Sequence, residues 1–176
     1  MKKMAVLVVV LISTTLICLG FAYGEGAGGG HMVRKNKAGG VSGGSAHGVK
    51  GDNGGAGSVK GFATDGQGNA AGGSISGFKT PSGAKGARAG GFTRTSDGTA
   101  KHKSGMVVSG QRGSAASSGS FTKDSSGNVS GERSTNAKSS SGATYQGDTT
   151  YNKGSGVSHS GTCKDAAGNV VPCPKP

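Results

Sequence analysis

The sequence predicts an all-β chain built as a repeat array of antiparallel hairpins, and three observations carry that reading. An aromatic residue recurs at Phe62, Phe92, Phe121 and Tyr151, at separations of 30, 29 and 30 residues. A fixed period of this size marks a repeat architecture whose units stack on their neighbours. Turn signals divide each interval into two segments of similar length. The residues between the turns are largely Gly, Ser and Thr, which are poor helix formers, whereas Leu, Met, Glu and Gln are scarce.

Residues 1–24 read as a secretory signal peptide. Lys2 and Lys3 give a positive start, Ala5 to Leu19 is an apolar run broken at Ser13, Thr14 and Thr15, and Ala22-Tyr23-Gly24 offers a cleavage site. The run is shorter than the ~20 apolar residues a membrane span prefers. Cys18 follows Ile17 rather than the small residue a lipid-acceptor cysteine needs. Residues 25–60 read as a flexible, disordered Gly-rich leader, with tracts such as Gly28-Gly29-Gly30 and a small basic cluster at Arg34, Lys35 and Lys37.

Residues 61–176 hold four repeats of about 30 residues. Asp65-Gly66, Asp97-Gly98, Ser126-Gly127 and Lys153-Gly154 mark one turn in each. Pro81-Ser82-Gly83, Gln111-Arg112-Gly113, Ser140-Ser141-Gly142 and Ala167-Gly168-Asn169 mark the second. Glycine supplies positive φ, and Asp, Asn and Ser bond their own backbone, so these are hairpin signals. Two geometries fit the period. A meander pairs successive segments as antiparallel hairpins, about eight strands in all, while a β-solenoid stacks like segments in parallel. The Asp-Gly turns favour the meander.

Strand alternation puts Phe92 with Arg94, Phe121 with Lys123, and Tyr151 with Lys153 on one face. In register, these would form a column of aromatics beside a column of cations; Phe62-Ala63-Thr64 lacks the base. After removal of the signal segment two cysteines remain, Cys163 and Cys173, on either side of the last turn. In an exported chain this pair reads as a disulfide that caps the array. The prolines at 172 and 174 cannot donate to a ladder, so the sheet is expected to stop there.

The composition excludes an ordinary globular core. No leucine follows Leu19, tryptophan is absent, and Gly accounts for 38 of 176 residues. So little hydrocarbon cannot offset an ordering entropy of about 1–2 kcal/mol per residue. Order must come from repetition, partners or self-association. No catalytic constellation stands out. His31, His47, His102 and His159 are scattered without metal-ligand spacing, and several acids sit in turns. No nucleophile elbow occurs, and the loose glycine loop at Gly66 to Ala71 opens no helix. The chain reads as a non-enzyme, with no cofactor and no small-molecule substrate.

The segment from Tyr145 to Pro176, with Gly156-Val157-Ser158-His159-Ser160-Gly161-Thr162-Cys163 and the Gly168-to-Pro174 ending, resembles small exported Gly/Ser-rich proteobacterial repeat proteins of unassigned function. The resemblance implies an exported bacterial β-repeat protein and assigns no functional residue. In its Gly/Ser/Asn-rich repetition the chain is also similar to curli-type functional amyloids, without their regular Gln/Asn ladder.

The formal net charge is +12, and the basic residues are spread along the whole chain. Spread cations attract polyanions by counterion release; they also keep a β surface soluble and blunt its edges. Two expectations follow for a protein of the periplasm, the cell surface or the extracellular space. One is a structural surface or matrix protein that self-associates or joins envelope components. The other is a polyanion binder for extracellular DNA, acidic glycan or anionic lipid, with an antimicrobial variant, that uses Phe92, Arg94, Phe121, Lys123, Tyr151 and Lys153.

Overall fold

The computed structural model describes residues 26–173, so the signal segment, Glu25 and residues 174–176 lie outside the described residues. Eleven strands follow one another: β1 (Gly26–Lys35), β2 (Val41–Gly51), β3 (Gly54–Thr64), β4 (Ala70–Lys79), β5 (Lys85–Arg94), β6 (Ala100–Gly110), β7 (Gly113–Lys123), β8 (Val129–Ser139), β9 (Thr144–Asn152), β10 (Gly156–Lys164) and β11 (Val170–Val171). Each pairs antiparallel with its chain neighbours, and their order in space is their order in sequence. The geometry is therefore the meander, not the solenoid. A ten-residue strand spans roughly 33 Å.

The Gly-rich leader expected to be disordered over 25–60 is instead built into the sheet as β1, β2 and most of β3. Glycine-rich segments have little strand preference of their own. Here the neighbour supplies the template, since β3 pairs with β2 from Ser42↔Ala63 to Gly51↔Gly54, and β2 pairs with β1 from Gly26↔Lys50 to Lys35↔Val41. The aromatic marker is missing from this upstream hairpin because Val33 occupies its place, and composition alone hid it.

Most turns share one design. In Asp124-Ser125-Ser126-Gly127-Asn128, Asp124 N donates to Asn128 O at 3.0 Å, Gly127 N donates back to Asp124 O at 3.1 Å, and Gly127 has φ 81°. This is a type I turn closed by a left-handed glycine, where any Cβ would be strained. The Asp124 carboxylate then accepts from Asn128 twice, from the backbone N at 2.9 Å and from Nδ2 at 2.8 Å. The same Asp–Asn clamp closes Asp165 with Asn169, and Asp65 with Asn69. At Lys153-Gly154 the positive φ falls on Gly156, at 80°, rather than on Gly154. Neighbouring turns also bond each other, as where Ser96 N donates to Asn69 Oδ1 at 2.9 Å.

Among the described residues no second layer covers the sheet. Among the described residues Cys163, at 8% exposure, is the only buried hydrophobic side chain. Aromatic rings lie on the backbone of glycines in the next strand in place of a core. Phe62, Gly72 and Phe92 are successive cross-strand partners, and a Cβ on Gly72 would stand 2.7 Å from Phe92 Cε1. Likewise a Cβ on Gly86 would meet Phe78 Cε1 at 2.6 Å. These glycines are seats for rings, a known way to stabilise a glycine in a sheet.

The far end is closed as the cysteine spacing predicts. Cys163 and Cys173 stand at disulfide distance with Cα atoms 5.2 Å apart. They pin the two-residue strand β11, and no strand follows it among the described residues.

Two predictions follow from these contacts. Closing so short a loop is worth about 2.5–3 kcal/mol by chain entropy. Cys173→Ser should therefore unprotect the amides of β11 and the end of β10 in hydrogen exchange while leaving β3 to β8 unchanged. The second concerns acid. The Asp65, Asp124 and Asp165 carboxyls are held below the usual carboxylate range, first by the Asn side-chain amide and then by backbone N–H donors; at Asp97 the Thr95 hydroxyl comes first. A carboxyl depressed in the folded state stabilises it above the unfolded value near ~3.9, and that contribution disappears as pH falls through the folded value. Urea midpoints should therefore fall on acidification below about pH 4. The fall should be smaller in Asn69→Ala/Asn128→Ala/Asn169→Ala, whose clamps are already open; equal falls would exclude the clamps as the cause.

Candidate functional site: an aromatic and cationic face

Because partners across a sheet share a face, the pairing registers sort every strand residue onto one face or the other. One row runs Val33, Gly43, Phe62, Gly72, Phe92, His102, Phe121, Gly131, Tyr151, Val157 across β1 to β10. Aromatics thus recur on every second strand with a small residue or His102 between them. The rings of Phe121 and Tyr151 lean together over Gly131, with centroids 6.5 Å apart and planes within 11°.

The neighbouring row on the same face carries Arg94 and Lys123, linked by register through Ala100, and on β1 Lys35, two residues from Val33 and paired with Val41. Lys153 extends it at the β9–β10 turn, where its backbone N donates to Val129 O at 2.9 Å and its Nζ reaches Gly127 O at 3.4 Å. The structure therefore brings Phe92, Phe121 and Tyr151 into one row and Arg94, Lys123 and Lys153 into the next. Its one qualification is that the Lys153 ammonium is turned toward a turn carbonyl.

Sequence reading missed several members of this face. Phe78 and Tyr145 lie on it near the opposite ends of their strands, as do Lys60, Arg88 and Arg133. Every aromatic side chain of the described residues is on this side. The signal was available in strand parity, since Phe78 is an even number of residues from Gly72, but it could be used only once the registers were known. Lys60, Arg88, Phe62, Phe92 and His102 border a shallow hollow of about 500 Å³.

The carboxylates are elsewhere. Among the described strand residues, Glu132 and Asp148 are the acids, and both lie on the opposite face, where Ser120 Oγ donates to Glu132 and Ser134 Oγ donates to Asp148. Asp52, Asp65, Asp97, Asp124 and Asp165 are in turns. The aromatic face consequently has cations and no strand carboxylate to neutralise them. Arg133 is steadied by Nε donation to Ser117 Oγ at 2.9 Å. Phe62, Phe92, Phe121 and Tyr151 remain 37–45% exposed, so half-open rings stand beside solvated charge.

The histidines do not gather. His159 bonds Thr149 Oγ1 at 2.8 Å and the Tyr145 hydroxyl at 3.2 Å, a local contact between β9 and β10. Among the described residues no three His, Cys, Asp or Glu side chains are placed to hold a metal ion, and no helix is long and apolar enough to cross a membrane. No protein-family model, curated protein or solved structure matches this chain.

Proposed function

We propose that this chain is an exported, non-catalytic scaffold of the cell surface or matrix that binds polyanions through its aromatic face. The observation that carries the reading is the segregation of charge: aligned rings and cations on a face whose strands hold no carboxylate. Such a face attracts a polyanion by counterion release, and its half-exposed rings add contact area once the polymer is seated. Flat, open geometry suits a long polymer better than a small substrate, which needs a cleft that buries most of its surface.

Self-association is the second reading, and a different observation favours it. Among the described residues β1 pairs only with β2, so its outer edge offers the ladder groups of a ten-residue strand, all of whose residues are exposed. An open edge is a template for another strand. Face-to-face stacking of two aromatic faces is opposed by their like charge, so assembly would run through edges, with the polyanion holding the cationic faces together.

The exported chain should bind single-stranded DNA and heparin at low salt, and added salt should weaken both steeply. Replacing Arg94, Lys123 and Lys153 with Gln should cost several-fold more affinity than replacing Arg34, Lys101 and Lys103 of the opposite face. Equal losses would mean diffuse attraction by net charge and would remove the aromatic face as a site. Sedimentation over a range of concentrations tests the edge reading, which requires oligomers that grow with concentration.

A further inference from the structure

The opposite face carries a second cationic row that the sequence periodicity does not reveal. By register, Lys79 pairs with Lys85, Lys85 with Ser109, Ser109 with Ser114, Ser114 with Lys138, Lys138 with Thr144, and Thr144 with Lys164. Lys50 continues the row through Gly55 on the other side. These lysines fall in different strands at unequal sequence intervals, and only pairing aligns them. They stand at the end of the sheet opposite Arg94, Lys123 and Lys153, on the other face.

The C-terminal half of this row borders an open groove of about 680 Å³. Its floor is apolar, with Ala87, Val107 and Ala116 in successive strands. That floor row continues into Asn136 and Gln146, exposed amides that make no side-chain hydrogen bond among the described residues. Lys85, Lys138 and Lys164 stand along the rim, are exposed, and likewise have no side-chain partner there. The acids of this face, Glu132 and Asp148, border no part of the groove, and Asp165 in the adjoining turn is occupied by Asn169.

We propose that this groove is a second binding site, specific for a linear acidic polysaccharide and separate from the aromatic face. Three features select that ligand. An apolar floor beside unpaired amides suits a sugar ring, which presents C–H faces and hydroxyls together. The rim lysines are spaced along the sheet: the backbones of Lys138 and Lys164 are two strands apart, about 9.6 Å at the usual strand separation, and those of Lys85 and Lys138 three apart, about 14 Å. Charges so sparse match a polymer with well-separated carboxylates. Duplex DNA carries a charge every ~1.7 Å along its axis and would leave most of its phosphates unmatched. Among the described residues Tyr145 is the one aromatic bordering the groove, and its strand parity assigns its ring to the other face, so the groove lacks the row of rings on which single-stranded nucleic acid stacks.

The test uses hyaluronate, which has one carboxylate per disaccharide, with single-stranded DNA as comparator and dextran as the uncharged control. All three groove lysines are exposed, so Lys85→Gln/Lys138→Gln/Lys164→Gln should keep its β-type circular dichroism. Its hyaluronate affinity should fall about tenfold or more, while its DNA affinity changes by only about the factor expected from lost net charge. Asn136→Ala/Gln146→Ala, which leaves charge untouched, should also weaken hyaluronate and spare DNA. Arg94→Gln/Lys123→Gln/Lys153→Gln should do the reverse. Unchanged hyaluronate binding in the lysine variant, or equal loss of DNA and hyaluronate in the amide variant, would overturn the groove site. Either result leaves the aromatic-face reading to stand or fall on its own triple variant.

Discussion

The antiparallel backbone ladder is the constraint on which this molecule depends, because among the described residues no second layer stands behind it. In an ordinary domain, apolar burial fixes a strand's register by punishing any slip that turns its hydrophobic side to water. Among the described hydrophobic residues only Cys163 is buried, so that penalty is small. Register is held instead by turn geometry and by rings seated on glycines. Each Asp–Asn clamp fixes where a hairpin reverses. A ring over Gly72 or Gly86 fits only while those positions have no Cβ and remain opposite the ring. Small residues, which look like weakness in the composition, are what let the rings lie flat on the sheet.

The same ladder separates chemistry between the two faces. Parity within each strand assigns side chains to a face, and the unbroken chain of pairings carries that assignment across ten strands. The rings go to one side. The strand acids, Glu132 and Asp148, go to the other, and the remaining described acids are confined to turns, where backbone N–H groups occupy Asp65, Asp97, Asp124 and Asp165. Cations occupy both sides, in rows at opposite ends of the sheet. Among the described residues a single layer leaves both cationic faces accessible, where a sandwich of the same length would bury one face of each sheet.

The two lateral limits of the sheet are unlike. The C-terminal end is tied by Cys163 and Cys173 to a two-residue strand followed by Pro172, which has no N–H to extend a ladder. The β1 end has neither proline nor cross-link within its strand. If assembly occurs, this asymmetry gives it a direction, since one limit is capped and the other offers a full-length edge.

The sequence by itself determined the all-β class, the hairpin period, the turn positions and the cysteine pair. Each of these depends on local chemistry: left-handed glycine, side chains that bond their own backbone, and two thiols across a short turn. It also put Phe92 with Arg94, Phe121 with Lys123 and Tyr151 with Lys153 on shared faces, because alternation within a strand is a local rule. Only the tertiary structure decided the rest. Residues 26–60 look featureless by composition but become strands because β3 and β2 template them. Phe78 and Tyr145 join the aromatic face, and Lys79, Lys85, Lys138 and Lys164 align on the other, through pairings between strands. Which residues stand opposite one another is set by the length and bulge of every intervening turn. That sum over many hairpins has no local signature, so the pattern along the chain identifies the strands while the registers place their side chains.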